Sequence, residues 1–250
     1  MVIKAWSKLA AALVYSSALT LLGQTASAQS TKVAEIGDYY VGVGAGASIP
    51  VSLHASVSPT SIFGLSGSGQ LTMSTTGQFS FLLGYYVTDW FVLEVDGSRV
   101  SYSLGDFSST LFSPVIPANL GQIAFNGTSE VWMGQVSALV RPFGRPPKAT
   151  LSPYVGIGAG MAVTDLHLDS ISTGQFALAG APTNFSTTSP AAQVLIGLDY
   201  VPNARLSIGL RYSFVWVDSN DSRFVRSSSN LVSFGDMMSH NITLTAAVHF

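Results

Sequence analysis

Along most of this chain, apolar residues alternate with small or polar ones at a period of two, the spacing of a β-strand with one apolar face. Eight segments follow the rule. In the first, Tyr39, Val41, Val43, Ala45, Ala47 and Ile49 share one face, with Tyr40, Gly42, Gly44, Gly46 and Ser48 on the other. The second sets Phe79, Phe81, Leu83, Tyr85 and Val87 against Gln78, Ser80, Gly84 and Tyr86. The third begins with Phe91, Leu93 and Val95 against Glu94 and Asp96. Near Gly97 its phase slips, and Val100, Tyr102 and Leu104 take the apolar side, which predicts a bulge. The fourth opposes Trp132, Val136, Ala138 and Val140 to Gln135, Ser137 and Arg141. The next two carry Val155 to Val163 and Ala192 to Tyr200 on alternate positions, and the seventh carries Leu206 to Trp216 against Arg205, Ser207, Gly209, Arg211 and Ser213. The last opposes Ile242, Leu244, Ala246, Val248 and Phe250 to Asn241, Thr243, Thr245 and His249. Each segment approaches or exceeds the roughly nine to eleven residues with which a tilted strand crosses a bilayer.

The joints between segments are unequal. Thr88-Asp89, residues 143–150 and Pro202-Asn203 are short; residues 50–77, 105–130, 169–190 and 218–239 are long and rich in Ser, Thr, Gly and Asn. In an up-and-down meander every long loop then falls at one end and every short turn, with both termini, at the other. Outer-membrane barrels have that layout, with short periplasmic turns and long extracellular loops.

Period two does not say which face points inward, and a secreted eight-stranded barrel with an apolar inside shares the pattern. Composition decides it. Only 10% of the 250 residues are charged while 47% are hydrophobic. The Gly, Ser, Thr and Gln faces are too poor in charge for a soluble exterior and suit a crowded interior. Aromatics gather near strand ends, with Tyr39, Tyr85, Trp90, Phe91, Tyr154 and Tyr200 at the turn end and Tyr102, Trp132, Phe214 and Trp216 toward the loops. These are expected to form two interface girdles. The expected fold is all-β, an eight-stranded antiparallel up-and-down transmembrane barrel.

Residues 1–28 read as a cleavable signal peptide. Lys4 and Lys8 precede a largely apolar run over residues 9–22, and Ala26-Ser27-Ala28 offers cleavage after Ala28. The barrel domain then spans 29–250, exported to the outer membrane of a Gram-negative cell envelope. A terminal strand closing on Phe250 resembles the signal by which the barrel-assembly machinery recognises its clients.

Three stretches carry a family resemblance. Gly84-Tyr85-Tyr86-Val87-Thr88-Asp89-Trp90, Leu151-Ser152-Pro153-Tyr154-Val155-Gly156-Ile157-Gly158-Ala159-Gly160 and Gly197-Leu198-Asp199-Tyr200 resemble the small outer-membrane barrels of the OmpW type. The opacity-like and OmpA-like porin-family barrels are similar too. The resemblance implies a monomeric barrel and an association with small hydrophobic compounds. The close Ala247-Val248-His249-Phe250 departs from the Gly-Tyr-Arg-Phe type of ending, and the loops show no match.

Several features that suggest chemistry do not assemble into it. Gly42, Gly44 and Gly46, like Gly156, Gly158 and Gly160, recur every second residue within strands, whereas a dinucleotide loop needs GxGxxG at a turn into a helix. With 11 basic and 13 acidic residues there is no basic face for nucleic acid, and zero cysteines exclude thiolate metal sites and thiol catalysis. His54, His167, His240 and His249 lack metal-ligand spacing. Ser239-His240-Asn241 lacks the spacing of the His-x-Ser-Asn signature of lipid A deacylases, so no enzyme and no cofactor are expected. Glu94, Asp96, Arg141, Asp199, Arg205 and Arg211 fall on expected lumen faces, as ion pairs plugging a narrow barrel. Within this set Asp199 is expected to face Arg205, and Gln193 to face Arg211, across a three-residue turn at Val201-Pro202-Asn203. In the loops Ile62, Phe63, Leu111, Phe112, Ile116 and Phe125 form the candidate lining for a small apolar ligand. The alternative is a surface protein whose four long loops meet a host or envelope partner, without transport.

Overall fold

The computed structural model describes residues 38–51, 53–57, 67–109, 123–145, 150–173, 176–178, 183–203, 205–218, 224–225 and 231–250. The strands are β1 (Tyr39–Pro50), β2 (Leu53–Val57), β3 (Gly67–Met73), β4 (Thr76–Tyr86), β5 (Phe91–Ser109), β6 (Ile123–Val140), β7 (Thr150–Thr173), β8 (Phe176–Leu178), β9 (Thr183–Asn203), β10 (Leu206–Val217), β11 (Phe224–Val225), β12 (Leu231–Phe234) and β13 (Met237–His249). Antiparallel pairing runs β1–β4–β5–β6–β7–β9–β10–β13 and returns to β1, where Tyr40 opposes His249 and Pro50 opposes Ser239. This is a closed eight-stranded barrel. Toward the loops, β2, β3, β11 and β12 continue its walls, while β8 pairs with β7.

The alternation has become inside and outside. Val43, Ile157, Leu210 and Leu244 point outward and are exposed, Ile157 to 65% and Leu244 to 60%, whereas Glu94, Gln135 and Asn241 are buried inside. A belt of exposed Val, Ile, Leu and Phe around a polar interior is stable only in lipid, which excludes the soluble barrel.

Two expectations about faces need correction. The third segment does not bulge at Gly97: β4 and β5 pair in register from Tyr86–Val92 to Gln78–Val100, and the irregularity lies beyond Leu104. Val92, Glu94, Asp96, Ser98, Val100, Tyr102 and Leu104 all point inward. What changes is the inner face of this strand, charged and polar at Glu94, Asp96 and Ser98 and apolar at Val100, Tyr102 and Leu104, so the apolar residues change face with no break in the strand. Tyr102 and Tyr154, expected in the girdles, are also buried inside: Tyr102 belongs to the apolar stretch near the loops, and Tyr154, at the turn end, lies in a cluster with Tyr40, Tyr86 and Leu139. Tyr39, Tyr85, Trp90, Trp132 and Tyr200 are exposed on the outside.

Glycine has a specific task at two inward positions. A Cβ on Gly84 would enter the ring of Tyr40, and one on Gly197 the ring of Tyr154. Each tyrosine lies flat over the bare backbone of the neighbouring strand, which lets two large rings fit a narrow lumen.

Candidate functional site

The described lumen is organised in layers. Nearest the turns, Arg141 at the end of β6 is buried; its Nη2 donates to Asp199 Oδ2 at 2.6 Å and its Nη1 to Ser152 Oγ at 3.0 Å. Its guanidinium also sits 4.8 Å from the centre of the Tyr154 ring. Arg145 caps this layer, stacked 4.7 Å from the centre of Tyr86 and paired with Asp38 at 2.9 Å. Gly144, at φ +75°, makes the turn that returns Arg145 over the mouth, a backbone conformation few other residues accept.

Arg205 departs from its expected place. It is exposed at the turn, and Asp199 opposes Gly209 rather than Arg205. Gln193 likewise opposes Val215, and Arg211 opposes Gly197. The cause is local. Asn203 pairs with Leu206, and the ladder then shifts before Tyr200 meets Ile208. Pro202 has no N–H to give the ladder, so the irregularity falls beside it. The Asp199 carboxylate lies over Gly209, whose missing side chain makes room for it, and it accepts from Arg141, two strands away beside the end of β6.

One layer further in, Arg211 grips Glu94 with both terminal nitrogens, at 2.7 and 2.9 Å, and its Nε donates to Tyr154 OH at 3.1 Å. Tyr40 OH donates to Glu94 Oε2 at 2.5 Å. Glu94 has no exposed surface. Above this pair, Gln193 Nε2 donates to Asp96 Oδ2 and to Ser137 Oγ, both at 2.9 Å. Breaking a buried pair by removing one partner costs about 3–5 kcal/mol, so these layers resist opening.

Toward the loops the interior turns apolar. Val100, Tyr102, Val131, Met133, Ala162, Ala191, Val215 and Val217 pack as a collar, with Met73 and Met237 against it. Tyr102 OH shares a hydrogen bond with Ser48 Oγ at 2.7 Å, and Ser48 Oγ donates to Asn241 Oδ1 at 2.5 Å. The phase slip expected near Gly97 had put Val100 and Tyr102 on the outer face and so hid this collar. Strict parity carried on from Glu94 would have found it. Of the expected loop lining, Ile62, Phe63, Leu111, Phe112 and Ile116 lie outside the described residues. Phe125 is placed only by its backbone, opposite Ile171.

On the outside at the loop end, Arg99 lies 4.9 Å from the centre of the Trp132 ring, and both Arg99 Nε and Trp132 Nε1 donate to Glu130 at 2.7 Å. At the turn end, Phe250 stacks on Tyr39, their rings 6.5 Å apart, and the two backbones exchange hydrogen bonds of 2.9 and 3.1 Å.

Residues 16–250 match the family described as "Outer membrane protein beta-barrel domain". The chain belongs to this outer-membrane β-barrel family. The barrel therefore sits in the lipid of a bacterial outer membrane, as its exposed apolar belt requires. Among solved structures, Neisserial surface protein A is similar, at 17% identity over 86% of this chain and 98% of that chain, with a TM-score of 0.46. OprG from Pseudomonas aeruginosa is similar at 13% identity, over 88% of this chain and 100% of that chain, with a TM-score of 0.49. No curated protein matches the chain.

Proposed function

We propose that this outer-membrane barrel binds small apolar molecules at its extracellular end and lets no solute pass straight through its lumen. The observation that carries this reading is the apolar collar set directly above ion-paired layers. A molecule descending from the loops meets Val131, Met133 and Val215, and below them charges that an apolar body cannot solvate. Met73, Met133 and Met237 have unbranched side chains able to repack around ligands of differing shape.

The test uses the full chain in lipid nanodiscs, titrated with a naphthalene-class fluorophore. Saturable binding is expected, weakened about tenfold or more by Val131→Asp, which places a charge in the collar. Equal partitioning into empty nanodiscs, or unchanged binding by the variant, would refute the reading.

A second reading draws on the length of β7 and β9, 24 and 21 residues, against the roughly nine to eleven that a bilayer needs. These strands stand well clear of lipid, and their outer faces there carry exposed Asp165, His167, Asp169, Asn184 and Ser186. Such a wall suits contact with a partner on the water side. Shortening the β7–β9 hairpin above the membrane should then abolish partner binding by whole cells while leaving fluorophore binding intact.

A further inference from the structure

Between the Glu94–Arg211 pair and the apolar collar lies a cavity of about 20 Å³. Its walls are mixed. Met133 and Val215 belong to the collar, while Gln78, Asp96, Gln135 and Arg211 are among the polar residues that share the lining. The cavity is therefore the first polar space that a body seated in the collar reaches.

The charged groups around it are already engaged. Arg211 holds Glu94 through both terminal nitrogens, and Asp96 Oδ2 accepts from Ser137 Oγ and Gln193 Nε2. Two neutral atoms are not engaged. Gln135 Nε2, a donor, and Gln78 Oε1, an acceptor, are buried without a hydrogen-bond partner among the described residues. Gln135 is 3% exposed, so its free N–H is out of reach of bulk water. Polar atoms shielded this way are rarely left unsatisfied, and the space beside them admits a group about the size of one water.

These two atoms select a chemistry. An ammonium only donates and has nothing for Gln135 Nε2; a carboxylate only accepts and has nothing for Gln78 Oε1. A hydroxyl does both, carries no charge and fills about the volume of one water. A carboxylic acid or a primary amide also does both, but brings two polar heavy atoms where there is room for about one.

We propose that this barrel takes an apolar molecule ending in one hydroxyl group, an alcohol or a phenol, with its apolar body in the collar and its hydroxyl in this cavity. The hydroxyl accepts from Gln135 Nε2 and donates to Gln78 Oε1, directly or through one water. Asp96 and Arg211 keep their own bonds. The site rests on the apolar-ligand reading above and adds to it a preference for one head group.

Competition against the naphthalene-class fluorophore tests this, with the full chain in lipid nanodiscs and each competitor corrected for partition into empty nanodiscs. The competitors are 2-naphthol and 2-methylnaphthalene, which differ only by hydroxyl against methyl. In the wild type, 2-naphthol should bind about tenfold more tightly. Gln135→Leu should bring the two ligands to within about twofold of each other. Gln78→Leu should narrow the gap in the same direction, and gives the reading if Gln135→Leu does not fold. Equal competition by the two ligands in the wild type overturns the hydroxyl site and leaves the apolar-ligand reading standing. If neither ligand competes, both fall. An undiminished preference for 2-naphthol in the glutamine variants puts the hydroxyl elsewhere, and equally overturns the site.

Discussion

Arg141 and Asp199 meet at 2.6 Å inside the closed ring of strands, largely shielded from water, so each compensates the other's burial. Arg141→Met should lower the free energy of unfolding by about 3–5 kcal/mol, read from urea titrations in liposomes. Adding Asp199→Leu should recover part of that loss, because no stranded charge then remains. A double variant as unstable as the sum of the singles would deny the pair. The outward Arg99–Glu130 bridge, at 2.7 Å, is half exposed and contributes at most about 1 kcal/mol. Side-chain parity in the sequence was enough to place Asp199 and Arg211 inside. It could not place Arg205, because one proline beside a turn moved the register and carried that arginine to the tip.

At the scale of a strand, facing was legible and pairing was not. A period of two marks which residues share a face, whatever lies opposite, so the outer belt of Val43, Val155, Leu210 and Leu244 could be read directly. The collar could not, since alternation is blind when both faces are apolar, as they are near Val131 and Val215. Nor does a stripe of glycines reveal its purpose until the rings above it are known. Gly197 is such a case, lying under Tyr154. Gly197→Ala should destabilise the barrel by about 1–3 kcal/mol through overpacking. In the Tyr154→Ala background the same change should cost less, and equal cost in both backgrounds, by denaturant midpoint, would remove the steric explanation.

The molecule as a whole could be read from its short turns, long loops and single apolar face; the lumen's layers required coordinates, because they join residues distant in sequence. Phe250 belongs to this scale, since its stacking on Tyr39 sits where the first and last strands close the ring. That ring contact is exposed, with Phe250 53% accessible, and adds little to the finished barrel. Phe250→Ala should therefore reduce the amount inserted in cells while sparing refolding in detergent, and equal insertion of variant and wild type would contradict an assembly role. The Glu94–Arg211 pair has a consequence for how the chain folds. Its partners are 117 residues apart, on β5 and β10, so no hairpin formed early can satisfy either. Until the last strands arrive, both charges must stay in contact with water. Entry into the bilayer, closure of the ring and pairing of the charges thus become one cooperative event, slow because its contacts are so distant along the chain.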